Sequence, residues 1–227
     1  MKRNLEKHMP YFSVLEALTK APECALCMLE TESLQRYFET LLYEMVNDPK
    51  VRRDLAHSRG YCYRHAHMLL DCHGGFATAI LYQDQVAAFI EYLTSLSSMG
   101  LRRAPIKIAR EWNAHAGCPG CRVQMESRER SVSVFLEAVT EPDMRAAFER
   151  SAGFCVPHFF IVIGSAKAPD VRAYVTQVHR EKYAELARDL AEFERKHDYR
   201  FTHEAMGKEG DSWSRAVKML AGGRDLF

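Results

Sequence analysis

The chain has 227 residues, 47% of them hydrophobic, enough apolar material for one domain or two small ones. Its 31 basic and 30 acidic residues leave a net charge of +1, so nothing in the balance calls for nucleic acid or an anionic membrane surface. After the basic start Met1-Lys2-Arg3, the stretch Met9 to Leu18 is too short and too polar for a signal peptide or a span. The expected compartment is therefore the cytoplasm, where the seven cysteines read as metal ligands or redox groups rather than disulfides.

In chain order, Pro10 to Lys20 reads as a short amphipathic helix with Phe12, Leu15 and Leu18 on one face, ended by Pro22. Apolar residues at Leu34, Tyr37, Phe38, Leu41, Met45 and Val46 predict a helix from Ala25 to about Asn47, and Asp48-Pro49 opens a shorter one that Gly60 closes. A helix from Cys62 to about Asp71 follows. Gly74-Gly75 breaks the chain before a long helix from about Phe76 to Ser98, with a stripe at Val86, Phe89, Ile90, Leu93 and Leu96. Gly100 to Pro105 reads as a basic connector, and Ile106 to Ala114 as a helix.

The same plan then recurs. Helices are expected over about Arg122 to Val139, after Thr140-Glu141-Pro142 with Thr140 as N-cap, from Cys155 to about Ile163, and from Pro169 onward with Val171, Val175, Val178, Leu186, Leu190 and Phe193 inward. Lys196 to Gly210 is polar and not repeated, and a last short helix carries Trp213, Val217 and Leu220. No strand alternation is visible. The expectation is all-α: two tandem, pseudo-symmetric helical units with a C-terminal helical tail. The boundaries are a first repeat with its leading helix at 1–99, a linker and helix at 100–117, a second repeat at 118–195, and a tail at 196–227 packing on the repeats.

Each copy carries the same four side chains. Cys24, Cys27, Cys62 and His65 recur as Cys118, Cys121, Cys155 and His158, the third of each set standing 35 and 34 residues after the second. The run before the third ligand recurs too, as Gly60-Tyr61-Cys62 and Gly153-Phe154-Cys155. Three thiols and one imidazole form a structural zinc set, and four protein ligands leave no position open for water or substrate. All eight fall at helix starts, where free backbone N–H groups favour thiolate. Two Zn2+ sites are expected, with an iron–sulfur cluster as the alternative, although clusters mostly use four thiolates.

The pairing of the ligands depends on reach. A helix from Ala25 to Asn47 runs roughly 33 Å, and Asp48 to Tyr61 with nearly extended connectors covers roughly 35 Å. The reach thus favours pairing within a copy over a crossed arrangement in which each Cys-x-x-Cys meets the other copy's Cys-x-x-His.

Other candidates have plain readings. Cys118-Pro119-Gly120-Cys121 lacks the βαβ context of a dithiol oxidoreductase. His57, His67, Cys72 and His73 fit a solvated helix end better than a second metal site. His197-Asp198-Tyr199, within Lys196 to Arg200, fits a helix C-terminus with basic residues complementing the dipole. Its alternative is a ligand or catalytic cluster between the repeats, with Arg59, Tyr63 or Arg64. Arg102, Arg103, Lys107 and Arg110 lack the interleaved aromatics of a nucleic-acid patch.

The doubled Cys-x-x-Cys and Gly-aromatic-Cys-x-x-His, with Leu41-Leu42-Tyr43-Glu44 between them in the first copy, resembles an uncharacterised prokaryotic family, a domain of unknown function. Lys196-His197-Asp198-Tyr199-Arg200-Phe201 and the Trp213 helix extend the resemblance over nearly the whole chain. Tyr61 departs from it, Phe being the commoner residue there. The resemblance implies eight equivalent ligand positions in a cytoplasmic protein and brings no reaction or substrate. The expected function is a metal-binding helical module for a protein or small-molecule partner, the alternative being an enzyme or iron–sulfur redox protein.

Overall fold

A computed structural model describes residues 9–98, 108, 110, 112, 117–201 and 203–227. The expected connector Gly100 to Pro105, with Arg102 and Arg103, lies outside those residues, as do Lys107 and most of the helix expected after it. Among the described residues there are ten α-helices and no strand. They are α1 (Met9–Lys20), α2 (Ala25–Thr40), α3 (Pro49–His57), α4 (Tyr63–Asp71), α5 (Gly75–Ser98), α6 (Pro119–Ala138), α7 (Pro142–Arg150), α8 (Val156–Ser165), α9 (Pro169–His197) and α10 (Ser212–Ala221). None of the described helices is long and apolar enough to cross a membrane.

The chain packs as two compact units, Met1–Thr31 with Ser127–Phe227, and Glu32–Glu126. Both divisions fall inside helices, α2 and α6, so each unit combines pieces of the two sequence copies.

In the first unit, α1 packs on α7. The inward face of α1 is Tyr11, Val14, Ala17 and Leu18, while Phe12 is 50% exposed; the stripe expected from Phe12 and Leu15 is thus turned by about one residue. Phe135, Phe148 and Phe154 form an aromatic triad with ring centroids 4.9 to 5.2 Å apart, each ring fully buried. Such aromatic pairs add about 0.5–1.5 kcal/mol each beyond their buried area. Helix α7 starts from Glu141 rather than Thr140, with Pro142 in its first turn.

In the second unit, α2 ends in one π-helical turn, Leu41–Met45, instead of running evenly to Asn47. Leu41 and Val46 are both buried although five positions apart. A turn with i→i+5 bonding brings such a pair onto one face, where an α-helix would separate them. Asp48 caps α3 as expected, its carboxylate accepting from the N–H groups of Lys50 (2.7 Å) and Val51 (3.1 Å). Helix α5 packs on α3, α4 and the π turn, with Leu81 buried and Asp84 accepting from Arg52 Nε and a terminal nitrogen at 2.8 and 2.7 Å. Farther along, its expected core stripe faces outward: Val86 is 58% exposed, Ile90 57% and Leu93 45%. Phe89, also exposed, meets the edge of Trp112.

The tail is held to α9 by polar contacts. A 3₁₀ turn, Lys208–Asp211, places the buried Glu209 beside Lys196 Nζ at 2.7 Å. Hydrogen bonds from the Gly207 N–H and the Lys196 ammonium hold the Glu209 carboxyl at about 2. A depressed carboxyl contributes stability that is complete above its ordinary value of about 4.3 and is lost as pH falls toward the folded value. Between about pH 5 and pH 2, the melting temperature of the wild type should therefore fall more steeply than that of Glu209→Gln. Parallel acid limbs would show that the contact does not hold the tail.

Candidate metal centres

The eight expected ligands all lie in first turns of helices. The carbonyls of Cys24, Cys62, Cys118 and Cys155 each accept the N–H four residues on, at 2.7 to 3.2 Å, so each of these cysteines occupies the N-cap position. Cys27, His65, Cys121 and His158 follow three residues later, on the same side of the turn. Cys62 (φ −63°, ψ 166°) and Cys155 (φ −63°, ψ 161°) have nearly the same backbone, after Gly60 at φ 88° and Gly153 at φ 85°. A positive φ suits glycine there, and the duplication read in the sequence is present in the backbone as well.

The side chains gather in crossed sets. Cys24 and Cys27 meet Cys155 and His158, whereas Cys62 and His65 meet Cys118 and Cys121. In each set the four ligand atoms lie within 4.8 Å of one another. This corrects the within-copy pairing favoured from reach. The reach estimate assumed nearly extended connectors around the short helix. Instead α3 is nine residues long, about 13 Å at 1.5 Å per residue, and tight turns follow it. Ser58, Arg59 and Gly60 N–H groups fold back on Asp54, Ala56 and Leu55, and Arg59 has φ 52°. The return is too short to bring Cys62 back along α2 to Cys24.

In the first set, Cys27 Sγ lies 3.6 Å from Cys155 Sγ, and His158 Nδ1 lies 3.4, 3.4 and 3.3 Å from the sulfurs of Cys24, Cys27 and Cys155. In the second, Cys62 and Cys121 sulfurs are 3.7 Å apart, and His65 Nδ1 lies 3.2, 3.6 and 3.4 Å from Cys62, Cys118 and Cys121. A tetrahedral zinc ion with Zn–S near 2.3 Å and Zn–N near 2.05 Å separates sulfurs by about 3.8 Å and sulfur from nitrogen by about 3.6 Å. The donor sets therefore fit a metal in kind and in size.

Around the first set the chain builds a support that the cysteine spacing did not reveal. His158 Nε2 donates to Glu30 Oε1 at 2.7 Å, fixing the tautomer that leaves Nδ1 free for a metal. Glu30, 1% exposed, also accepts from Arg128 Nε and a terminal nitrogen at 2.6 and 2.9 Å. The segment Gly222–Phe227 closes over this set. The Gly223 N–H reaches Cys27 Sγ at 3.2 Å, Phe227 packs edge-on to the His158 ring, and Arg128 stacks over Phe227 at 4.9 Å. His179 anchors the bend before Cys155: its Nδ1 donates to Val175 O at 2.8 Å and its Nε2 accepts from the Phe154 N–H at 2.9 Å. Burial holds His179 below the ordinary imidazole value, which suits this neutral role.

The second set is more open. Cys118 and His65 are buried, but Cys62 and Cys121 are only half-buried. A Cβ on Gly120 would sit 2.6 Å from His65 Cγ, so the glycine of Cys118-Pro119-Gly120-Cys121 allows the close approach of the imidazole. Tyr37 and Tyr61 share a hydrogen bond of 2.8 Å behind this set, and Phe38 packs against both rings.

Without a cation, the thiols of each set are pulled in opposite directions. Burial opposes ionisation of Cys24, but hydrogen bonds from Cys155, Cys27 and His158 outweigh it and hold its thiol well below the ordinary range. Its neighbour Cys27 is pushed far up, mainly by hydrogen bonding to Cys155 and Cys24. Burial also works against charge on His158, yet hydrogen bonds to Cys155, Cys24 and Glu30 lift it to about 11. In the second set, burial together with the negative charges of Cys118 and Cys62 pushes the Cys121 thiol to about 12. A divalent ion reverses this logic, because it removes the mutual repulsion and displaces the protons.

The other candidates lie elsewhere. Among the described residues, His57, His67, Cys72 and His73 join neither set; Cys72 Sγ lies 3.5 Å from Met68 O, and the His67 ring packs tilted against Tyr63. The stretch at the end of α9 is tied up in its own contacts: Asp198 accepts from Arg200 Nε and a terminal nitrogen, His197 Nδ1 reaches Phe193 O, and Tyr199 is 84% exposed. A groove of about 720 Å³ beside α9 is lined by residues that include Lys182, Tyr183, Asp189 and Arg215, but by none of Lys196 to Arg200.

The model of a family of unknown function (DUF6062) matches residues 1–226. An uncharacterised 23.9 kDa protein in the xynA 3′ region of Caldicellulosiruptor sp. (strain Rt8B.4) is 25% identical over 207 residues, covering 89% of this chain and 97% of that one. No solved structure matches.

Proposed function

The chain belongs to the DUF6062 family of unknown function, and we propose from its own geometry that it is a zinc-stabilised helical interaction module. Each Cys3His set would hold one Zn2+ with Cys Sγ and His Nδ1 as ligands, and its role would be structural. The observation that carries this reading is the fit of both sets to a closed tetrahedron, with four protein ligands apiece and spacings near those zinc requires. Arg128 supports it as well. Three thiolates, one neutral imidazole and a divalent ion leave a net charge near −1, and the Arg128 guanidinium, bound to the Glu30 carboxylate that holds His158, places a positive charge beside the first set.

The module part of the reading rests on the outward apolar face of α5, where Val86, Phe89, Ile90 and Leu93 are exposed together. A protein partner is favoured there over nucleic acid, since α5 carries only Asp84 and Glu91 as charged residues.

Elemental analysis of protein purified without added metal tests the central part. Two zinc ions per chain and a colourless solution are expected. A brown solution absorbing in the visible would replace zinc by an iron–sulfur cluster, and a chain with less than about one ion would defeat the reading.

A further inference from the structure

The two sets are not equivalent in their exposure. In the first, all four ligands are buried, and the Gly222–Phe227 segment lies over the sulfurs: Gly223 N–H bonds to Cys27, and a Cβ on Gly222 would sit 3.6 Å from Cys155 Sγ. In the second, the sulfurs of Cys62 and Cys121 lie 3.7 Å apart, and these are the two cysteines of the set that are only half-buried. The surroundings differ in the same sense. Six residues past Cys24 stands the carboxylate of Glu30, which holds His158; six residues past Cys118 stands the carboxamide of Gln124. A carboxylate behind a ligating imidazole raises its basicity and strengthens its hold on a metal.

We infer that Cys62 and Cys121 form an oxidation-sensitive pair, through which hydroperoxides discharge the metal of the second set while the first set stays loaded. This inference rests on the zinc reading above. In the step, the Cys62 thiolate attacks the terminal peroxide oxygen and becomes a sulfenic acid, as the O–O bond breaks and, with a proton, the other oxygen leaves as water or an alcohol. The Cys121 thiolate then attacks the Cys62 sulfur, the S–S bond forms, and the hydroxyl leaves with a second proton as water. Two thiolates lose two electrons, the peroxide gains them, and zinc keeps its charge. Cys118 and His65 remain as the only ligands, too few to retain the ion. Thiolates held close together and open to solvent are the ones oxidised first.

The test uses the full-length, metal-loaded chain. Its zinc content is measured first; then hydrogen peroxide is added in steps, with a zinc-binding dye reporting release and alkylation with peptide mass mapping reporting the thiols. The expected result is release of one of two ions, in step with a disulfide joining Cys62 to Cys121, while Cys24, Cys27 and Cys155 remain reduced. Loss of both ions together, or a first disulfide that includes Cys24, Cys27, Cys155 or Cys72, overturns the inference and leaves the zinc reading standing. A chain without zinc at the outset overturns both. A Cys72→Ser chain repeats the measurement with the seventh thiol gone, and the same order of release is expected.

Discussion

Removing the metal with a strong chelator is expected to abolish the cooperative thermal transition of this chain. A structural zinc site contributes about 10–16 kcal/mol of apparent binding free energy at neutral pH, against a net stability of about 5–15 kcal/mol for a whole domain. Each compact unit contains one Cys3His set. In each, the set ties the start of a helix bearing Cys-x-x-Cys to the start of one bearing Cys-x-x-His, from positions far apart in sequence. Without the ion, the buried sulfurs and imidazole of the first set lose what offsets their desolvation. Far-UV circular dichroism should show a large loss of helix and of melting cooperativity, restored by adding zinc. A chelated chain that keeps its full helix content and its melting point would show that the sets are not structural.

The second large effect is expected from Glu30→Ala. Glu30 lies between His158 and Arg128, and it is nearly inaccessible, whereas the Arg128 side chain is 22% exposed. Truncating it leaves the Arg128 guanidinium without its bidentate carboxylate in a half-buried setting, and the His158 Nε2–H without its acceptor. Breaking a buried pair by removing one member costs about 3–5 kcal/mol. The loss of a partner behind a metal-ligating histidine typically costs about 10–100-fold in metal affinity. Glu30→Gln should lose less, because its carbonyl can still accept from His158. Competition with a chromophoric chelator and thermal melts read both quantities. If Glu30→Ala binds and melts like the wild type, the carboxylate does not support the site.

Much of this was legible in the sequence because it depends on local spacing. The helix-start positions of the eight cysteine and histidine residues, the Asp48 cap and the all-α character all follow from short-range patterns, and each is present in the structure. The crossed pairing was not legible, because it depends on how tightly the chain turns at Ser58 to Gly60, and a reach estimate gives only an upper bound. Glu30 and His179 were missed for a different reason. Each is a polar residue on an otherwise buried helix face, and only the fold shows which ligand or backbone group it serves. A charged or imidazole residue in step with an apolar stripe, as His179 is with Val175 and Val178, was the available signal. The Gly222–Phe227 closure had none, since Gly222-Gly223 reads as a helix stop wherever it occurs. The outward face of α5 shows the opposite failure: an apolar period of the right length predicts a stripe, but not whether this chain covers it.

The crossed pairing is the central claim, and metal stoichiometry in paired variants tests it most directly. Native mass spectrometry would count zinc in Cys24→Ser/His158→Ala and in Cys24→Ser/His65→Ala. In the first chain both changes fall in one set, and one ion should remain. In the second they fall in different sets, and none should remain. The reverse outcome, one ion kept with His65→Ala and none with His158→Ala, would contradict the account and restore pairing within each copy.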